Sequence, residues 1–193
     1  MLDNLNGYDI ILASNSPRRR ELLNGLGIKY RAISLPDIDE SFPQDLKGGE
    51  IPAYISKQKS LSYKDFLGDN TLLITADTIV WLNEKQFGKP SDKDEAKCML
   101  KQLSGNTHYV YTGVTIMSKT KEKTFIVESE VKFANLSDEE INYYIDEFTP
   151  FDKAGAYGIQ EWIGYIGVES IKGSYFNVMG LPIQRLYREL KDF

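Results

Sequence analysis

The segment Ser14-Asn15-Ser16-Pro17-Arg18-Arg19-Arg20 places two hydroxyls and three guanidinium groups where a strand-like run gives way to a helix start. A helix N-terminus directs unpaired N–H groups and the positive end of its dipole outward, which suits an anion. Arginine forks match phosphate oxygens. Arginines at a helix start are unfavourable against the dipole, so three of them imply an offsetting anion from outside. A solvated basic turn paired with surface acids accounts for the same spacing equally well.

A second chemical feature is Asp77, in Ala76-Asp77-Thr78 within the apolar run Leu72 to Leu82. A carboxylate buried without a partner is strongly unfavourable. Such an aspartate serves as a metal ligand, a general base or half of a structural pair, and this segment alone favours the pair. Gly88-Lys89-Pro90 presents a lysine on a turn. Asp152-Lys153-Ala154-Gly155-Ala156-Tyr157-Gly158-Ile159-Gln160 combines small residues that allow close backbone approach with a Gln160 amide that both donates and accepts. Glycine-rich loops are common, and neither a Walker A pattern nor G-x-G-x-x-G is present.

Other chemistry-bearing residues have plainer readings. The single histidine, His108, excludes a His-rich metal site and reads as a hydrogen-bonded structural residue at a strand start. The single cysteine, Cys98, cannot form an internal disulfide and reads as a small core residue on a helix. Tyr143-Tyr144 and Tyr175-Phe176 read as packing pairs.

The elements that would position these groups follow from local codes. Tyr8 to Ala13 is strand-like; Ser16 and Pro17 open a helix with an apolar stripe of Leu22, Leu23 and Leu26, ended by Gly25 and Gly27. Ile28 to Ser34 is a second strand, and Leu35 to Gly49 a loop carrying Asp37, Asp39 and Glu40. A helix is expected over Ile51 to Phe66, a strand over Thr71 to Leu82 with a turn at Asn83-Glu84, and a helix after Ser91 to Leu103. Tyr109 to Ser118 and Thr124 to Ala134 form an antiparallel pair, Ser137 to Glu140 a capping box for a helix to Phe148, and Leu181 to Leu190 the last helix. Strands and helices interleave without repeats or a linker, which predicts an α/β fold with a mixed twisted sheet and flanking helices, 1–193 forming a single domain.

Composition bounds the function. The chain has 193 residues, 23 Lys+Arg against 28 Asp+Glu, and a net charge of −5. That balance argues against a nucleic-acid coat, which needs many basic phosphate contacts, but leaves one basic pocket for a small anion possible in principle. Residues 1 to 9 contain two Asp and no Lys or Arg, so no secretory signal is expected. No apolar run approaches the roughly 18 residues of a membrane span. A cytoplasmic protein with neither membrane nor nucleic-acid partner is the expectation.

Leu12-Ala13-Ser14-Asn15-Ser16-Pro17-Arg18-Arg19, Ala76-Asp77-Thr78-Ile79-Val80, Gly88-Lys89-Pro90, Leu103-Ser104-Gly105, Asp152 to Gln160 and Gly173-Ser174-Tyr175 through Gly180-Leu181-Pro182 occur in one order. Together they resemble the Maf family of nucleoside triphosphate pyrophosphatases over nearly the whole chain. The resemblance implies two lobes about a cleft, as in the inosine triphosphate pyrophosphatase-like (Maf/Ham1) fold, and metal-dependent hydrolysis of a nucleoside triphosphate to the monophosphate and pyrophosphate. It implies Asp77 as catalytic proton acceptor, with Glu40 and Asp77 holding Mg²⁺ or Mn²⁺. Ser14, Ser16, Arg18, Arg19, Lys59 and Lys89 would contact substrate, chiefly its phosphates, and Thr78 and Gln160 the base. The Arg18, Thr78 and Gln160 set resembles the branch acting on dTTP and UTP, with modified pyrimidine nucleotides as further candidates. A pyrophosphatase for 7-methyl-GTP and a nucleotide-binding regulator of cell division remain the alternatives, and a homodimer is suggested. Glu161-Trp162 departs from the glycine of many family members, beside the base pocket.

Overall fold

The structure, a computed structural model, describes residues 2–36 and 38–193; Met1 and the loop residue Asp37 lie outside them. Seven strands form one sheet in the order β2-β1-β3-β5-β6-β7, with β4 paired on β3. β1 (Asp9–Ala13) runs parallel to both β2 (Arg31–Ile33) and β3 (Thr71–Leu82), with Ile11 opposite Arg31 on one side and Leu73 on the other. Ile10 to Ala13 are all buried, as are Thr71 to Asp77. This is why both segments read as unbroken apolar runs: strands covered on both faces do not alternate. β4 (Lys85–Phe87) folds back antiparallel on β3 through Asn83 and Glu84, both with positive φ (50° and 59°), as a two-residue hairpin turn demands.

The helices are α1 (Pro17–Asn24), α2 (Glu50–Ser62), α3 (Lys93–Leu103), α4 (Asp138–Phe148), α5 (Trp162–Gly167), α6 (Tyr175–Val178) and α7 (Ile183–Lys191). β5 (Thr107–Met117), β6 (Glu122–Phe133) and β7 (Val168–Lys172) complete the sheet, β7 antiparallel to β6. Ser16 caps α1 by accepting from the Arg19 amide, with Pro17 in the first turn, and Ser137 and Glu140 form both halves of the α4 capping box.

Several boundaries differ from the sequence expectation. α2 ends at Ser62 and a separate 3₁₀ turn covers Lys64–Phe66. α3 starts at Lys93, two residues after Ser91, with Asp92 capping it through the Glu95 amide. α7 begins at Ile183 because Pro182 takes the cap position. The short elements α5, β7 and α6 were not anticipated. Cys98 is exposed rather than in the core. The buried stripe of α3 is Ala96, Met99, Leu100 and Leu103, and the 3.6-residue period puts position 98 off that stripe. Tyr144 is buried, but Tyr143, Tyr175 and Phe176 are all exposed.

The chain divides into two compact units: 1–77 with 112–127 and 180–193, and 78–111 with 128–179. In the first, Ile11, Ala13, Tyr63, Leu73 and Met117 form a buried cluster flanked by Ile33, Leu35, Ile38 and Leu67. The Tyr63 hydroxyl accepts from the Leu35 amide at 2.8 Å, anchoring the start of the loop that carries Glu40. α2 lies against β5 at Gly113, where a Cβ would stand 2.3 Å from the Pro52 and Ala53 backbone. Buried hydroxyls in this layer are mutually satisfied: Thr75 Oγ1 donates to Ser56 O (2.7 Å), and Thr115 Oγ1 bonds the hydroxyls of Ser56 (3.1 Å) and Thr124 (2.9 Å).

In the second unit, α3 packs on α4, whose buried face is Ile141, Tyr144 and Ile145. His108 stacks edge-on with Phe133 and Tyr157 and shares a 2.8 Å hydrogen bond with the Tyr157 hydroxyl. Its structural reading therefore holds.

Candidate active site

The anion-suited turn between β1 and α1 is braced by its own side chains. Ser14 Oγ accepts from the Ser16 amide (3.2 Å) and Ser16 Oγ from the Arg19 amide (3.4 Å). Arg20 donates through Nε and Nη2 to the Ser14 carbonyl (3.3 and 3.2 Å), and through Nη2 to Asn15 Oδ1 (3.4 Å). Arg20 thus holds the loop in shape. Its charge is set against local carbonyl and amide oxygens, which resolves part of the conflict between three arginines and the helix dipole.

Arg19 does a different job. Its Nε donates to the Gly180 carbonyl (2.8 Å) and its Nη1 to the Ala76 carbonyl (2.9 Å), the peptide immediately before Asp77. These two bonds fix the guanidinium beside the middle of β3. Burial holds its pKa below the usual guanidinium range; Asp77 and Glu40 oppose that shift and Arg18 adds to it. These four groups therefore share one electrostatic neighbourhood, which Lys59 joins through Asp77 and Glu40.

Lys59 is the centre of that neighbourhood. Its Nζ lies 2.8 Å from Asp77 Oδ1 and 2.9 Å from Glu40 Oε1. α2 delivers the lysine from its last turn, β3 delivers the buried aspartate, and the loop after β2 delivers the more exposed glutamate. The buried aspartate so has the ion partner its position in an apolar strand requires. Two carboxylates from separate segments also converge on one cationic point, a donor set of hard oxygens suited to Mg²⁺ or Mn²⁺. Among the described residues no group of three His, Cys, Asp or Glu side chains converges. A metal held here would complete its shell with substrate oxygens and water.

The first compact unit therefore gathers Ser14, Ser16, Arg18, Arg19, Glu40, Lys59 and Asp77. Thr78, Lys89 and Gln160 belong to the second. Thr78 follows Asp77 on β3 and is half-buried; Lys89 is exposed on the turn between β4 and α3. The Gly155 amide donates to the Gly88 carbonyl (3.0 Å), tying the glycine-rich segment to that turn. A Cβ on Gly155 would stand 2.8 Å from Val80, and its φ of 68° is left-handed, so glycine is required there on both counts. Gln160 Oε1 is buried and has no hydrogen-bond partner among the described residues.

Around Gln160 the sequence names Tyr144 as packing, Lys153 as part of the glycine-rich segment and Glu161 as a departure from the family, but not the bonds among them. Tyr144 accepts from the Gly158 amide (2.9 Å) and donates to Glu161 Oε2. Lys153 Nζ contacts Glu161 Oε1 (3.1 Å) and Asp152 Oδ1 (2.7 Å). A signal was present: a lysine and a glutamate flanking a run of small and apolar residues must find partners once that run is buried.

Residues 9–193 match the family model described as Maf-like protein. The chain belongs to the Maf family. It is 58% identical over 191 residues to a dTTP/UTP pyrophosphatase of Bacteroides thetaiotaomicron, covering 99% of both chains. It is 59% identical over 191 residues to one of Phocaeicola vulgatus, again covering 99% of both chains. A dTTP/UTP pyrophosphatase of Porphyromonas gingivalis is 52% identical over 195 residues, covering all of this chain and 98% of that one. Among solved structures, the Ham1 protein of Staphylococcus aureus superposes with a TM-score of 0.49 at 14% identity, over 66% of this chain and 72% of that one. In this Maf-family chain no helix of the described residues is long and apolar enough to cross a membrane.

Proposed function

We propose that this Maf-family protein hydrolyses dTTP and UTP to the monophosphate and pyrophosphate, with residues 1–193 acting as one functional domain. The observation that carries the reading is the meeting of Asp77 and Glu40 on Lys59 beside Arg19, next to a helix start braced by two serines. The shared name of relatives 52–59% identical over full length supports the substrate class. An unbroken family match over 9–193 supports the single domain.

Glu40 and Asp77 are the residues that would hold Mg²⁺ or Mn²⁺. When bound, such an ion polarises a phosphoryl oxygen and lowers the pKa of a coordinated water. The rest falls to the chain. The α1 N-terminus with Ser14, Ser16, Arg18 and Arg19 binds and orients the phosphates, Lys89 adding positive charge. Substrate phosphate offers the Lys59 ammonium a competing anion, and its transfer there releases Asp77 to act as a base. Asp77 then takes a proton from water as the water oxygen bonds to the α-phosphorus and the bond to the β-phosphate bridging oxygen breaks, so pyrophosphate leaves. Thr78 and Gln160 read the base. Thymine and uracil present an N3–H donor, which the unpartnered Gln160 Oε1 suits; cytosine presents an acceptor at that position.

Pyrophosphate release across canonical and modified triphosphates, with and without Mg²⁺ or Mn²⁺, tests the reading. The highest kcat/KM is expected on dTTP and UTP with metal present. A higher value on GTP or 7-methyl-GTP overturns the substrate assignment, and nucleotide binding without turnover overturns the enzymatic one.

A further inference from the structure

A single phenol ties down both sides of Gln160. Tyr144 is fully buried on α4, its ring stacked on Phe148 with centroids 5.2 Å apart. Its hydroxyl accepts from the amide of Gly158, two residues before Gln160, and donates to the carboxylate of Glu161, the residue after it. The other carboxylate oxygen of Glu161 is held by Lys153, a lysine with 8% of its surface exposed. Glu161 in turn fills the space over Gly158, where any Cβ would stand 2.7 Å from its carboxyl carbon. The backbone of α5 closes the far side: a Cβ on Gly164 would lie 1.8 Å from the Ile159 carbonyl oxygen, so no other residue allows that approach.

Each of these contacts constrains the backbone that carries Gln160, and none uses the Gln160 amide itself. A group whose acceptor is buried and unpartnered can discriminate only if it cannot turn away to find another partner. Burial, with the bond to Glu161 adding to it, raises the Tyr144 pKa, so its hydroxyl stays a donor at neutral pH.

We propose that Tyr144, Glu161 and Lys153 form a positioning clamp that fixes the Gln160 acceptor and so sets the preference for bases with an N3–H donor. This rests on the assignment of Gln160 to base recognition. The clamp residues touch no substrate. They act by reducing the freedom of the loop, so losing them affects the preferred nucleotide more than a nucleotide that gains nothing from the Gln160 acceptor.

Steady-state kinetics on dTTP and dCTP, with melting temperatures, compare the wild type with Tyr144→Phe, Glu161→Ala, Gln160→Ala and the Tyr144→Phe/Gln160→Ala double variant. Tyr144→Phe keeps the ring and removes one oxygen, so it serves where Glu161→Ala fails to fold. Each clamp variant should lower the dTTP/dCTP ratio of kcat/KM about tenfold, the scale of one well-placed hydrogen bond, through KM for dTTP. Its kcat should stay within about threefold of wild type, a change small against the tenfold steps of transition-state losses. Gln160→Ala should lower the ratio at least as far, and the double variant no further, since the clamp acts through Gln160. An unchanged ratio in Tyr144→Phe, or additive losses in the double variant, overturns the clamp while leaving Gln160 in its role. An unchanged ratio in Gln160→Ala overturns the base assignment, and the clamp with it.

Discussion

The Lys59 ammonium and the Asp77 carboxylate stand 2.8 Å apart with only 13% and 12% of their side-chain surfaces exposed. In that setting an uncharged amide at position 77 keeps the shape of the aspartate but cannot accept a proton. Asp77→Asn should lower kcat by about 10²- to 10⁴-fold, the usual contribution of a general base. Nucleotide should still bind a folded protein, with a melting temperature somewhat below wild type because Lys59 keeps Glu40 but loses its buried partner. Pyrophosphate release and equilibrium nucleotide binding, measured on the same preparation, check both halves; release at the wild-type rate removes Asp77 from the reaction.

Lys59 also occupies the point on which both carboxylates converge. Lys59→Met removes the competing ammonium while keeping much of the apolar stem. Without nucleotide, Mn²⁺ should bind this variant about tenfold more tightly than wild type, a change of about 1.4 kcal/mol. Its metal-free form should melt lower, because Asp77 loses its partner, and regain stability on adding Mn²⁺. Calorimetric titration reads the affinity directly, and an unchanged value rules out Glu40 and Asp77 as the metal ligands.

His108 supplies a pH dependence of known sign. Burial pushes its pKa from the ordinary 6.5 down to about 4. Between those values the unfolded chain binds a proton that the folded chain refuses, so stability falls as pH drops through that window and is fully present above it. The loss approaches about 3 kcal/mol at pH 4, from about 1.4 kcal/mol per pKa unit. Urea midpoints at pH 7 and pH 5 should show a steeper acid loss for wild type than for His108→Phe. Carboxylates common to both proteins cancel in that difference, and parallel slopes would remove His108 as the cause.

Gly113→Ala tests the seat of α2 on β5. The new methyl would lie 2.3 Å from backbone atoms of Pro52 and Ala53, which cannot swing aside as a side chain could. Overpacking of this kind costs about 1–3 kcal/mol, and the upper end applies where backbone must shift. A fall in melting temperature of roughly 6–12 °C follows for a chain of this size. Since α2 carries Lys59, KM should rise as well; a variant with wild-type stability would show that the helix has room to yield.

What could be read from the chain depended on how local each code is. The Ser16-Pro17 start of α1, the Ser137–Glu140 box of α4 and the full span of β3 were legible because caps and buried runs are written in adjacent residues. α5, β7 and α6 have four to six residues each, too few for a period, and owe their form to tertiary contacts such as the Gly164 approach to Ile159. The site divides the same way. Asp77 and the Ser14–Arg19 turn stood out because their residue types are unusual where they occur. The meeting of Lys59 with Glu40 and Asp77 spans 19 and 18 residues in opposite directions along the chain; the family resemblance named the three as site residues, but their pairing with one another is written in no local pattern. Cys98 was misplaced even though its own helix held the answer: positions 96, 99, 100 and 103 already define the buried stripe.

Compactness divides the chain between Asp77 and Thr78, two consecutive residues of β3. Asp77, Glu40 and Lys59, proposed to serve the bond-breaking step, fall in the first unit; Thr78 and Gln160, proposed to read the base, fall in the second, together with Lys89. Mutational drift in the second unit can then change which nucleotide is preferred while the inherited carboxylate–lysine cluster stays as it was. A lineage built this way can diversify its diet of bases one substitution at a time without having to reinvent the reaction.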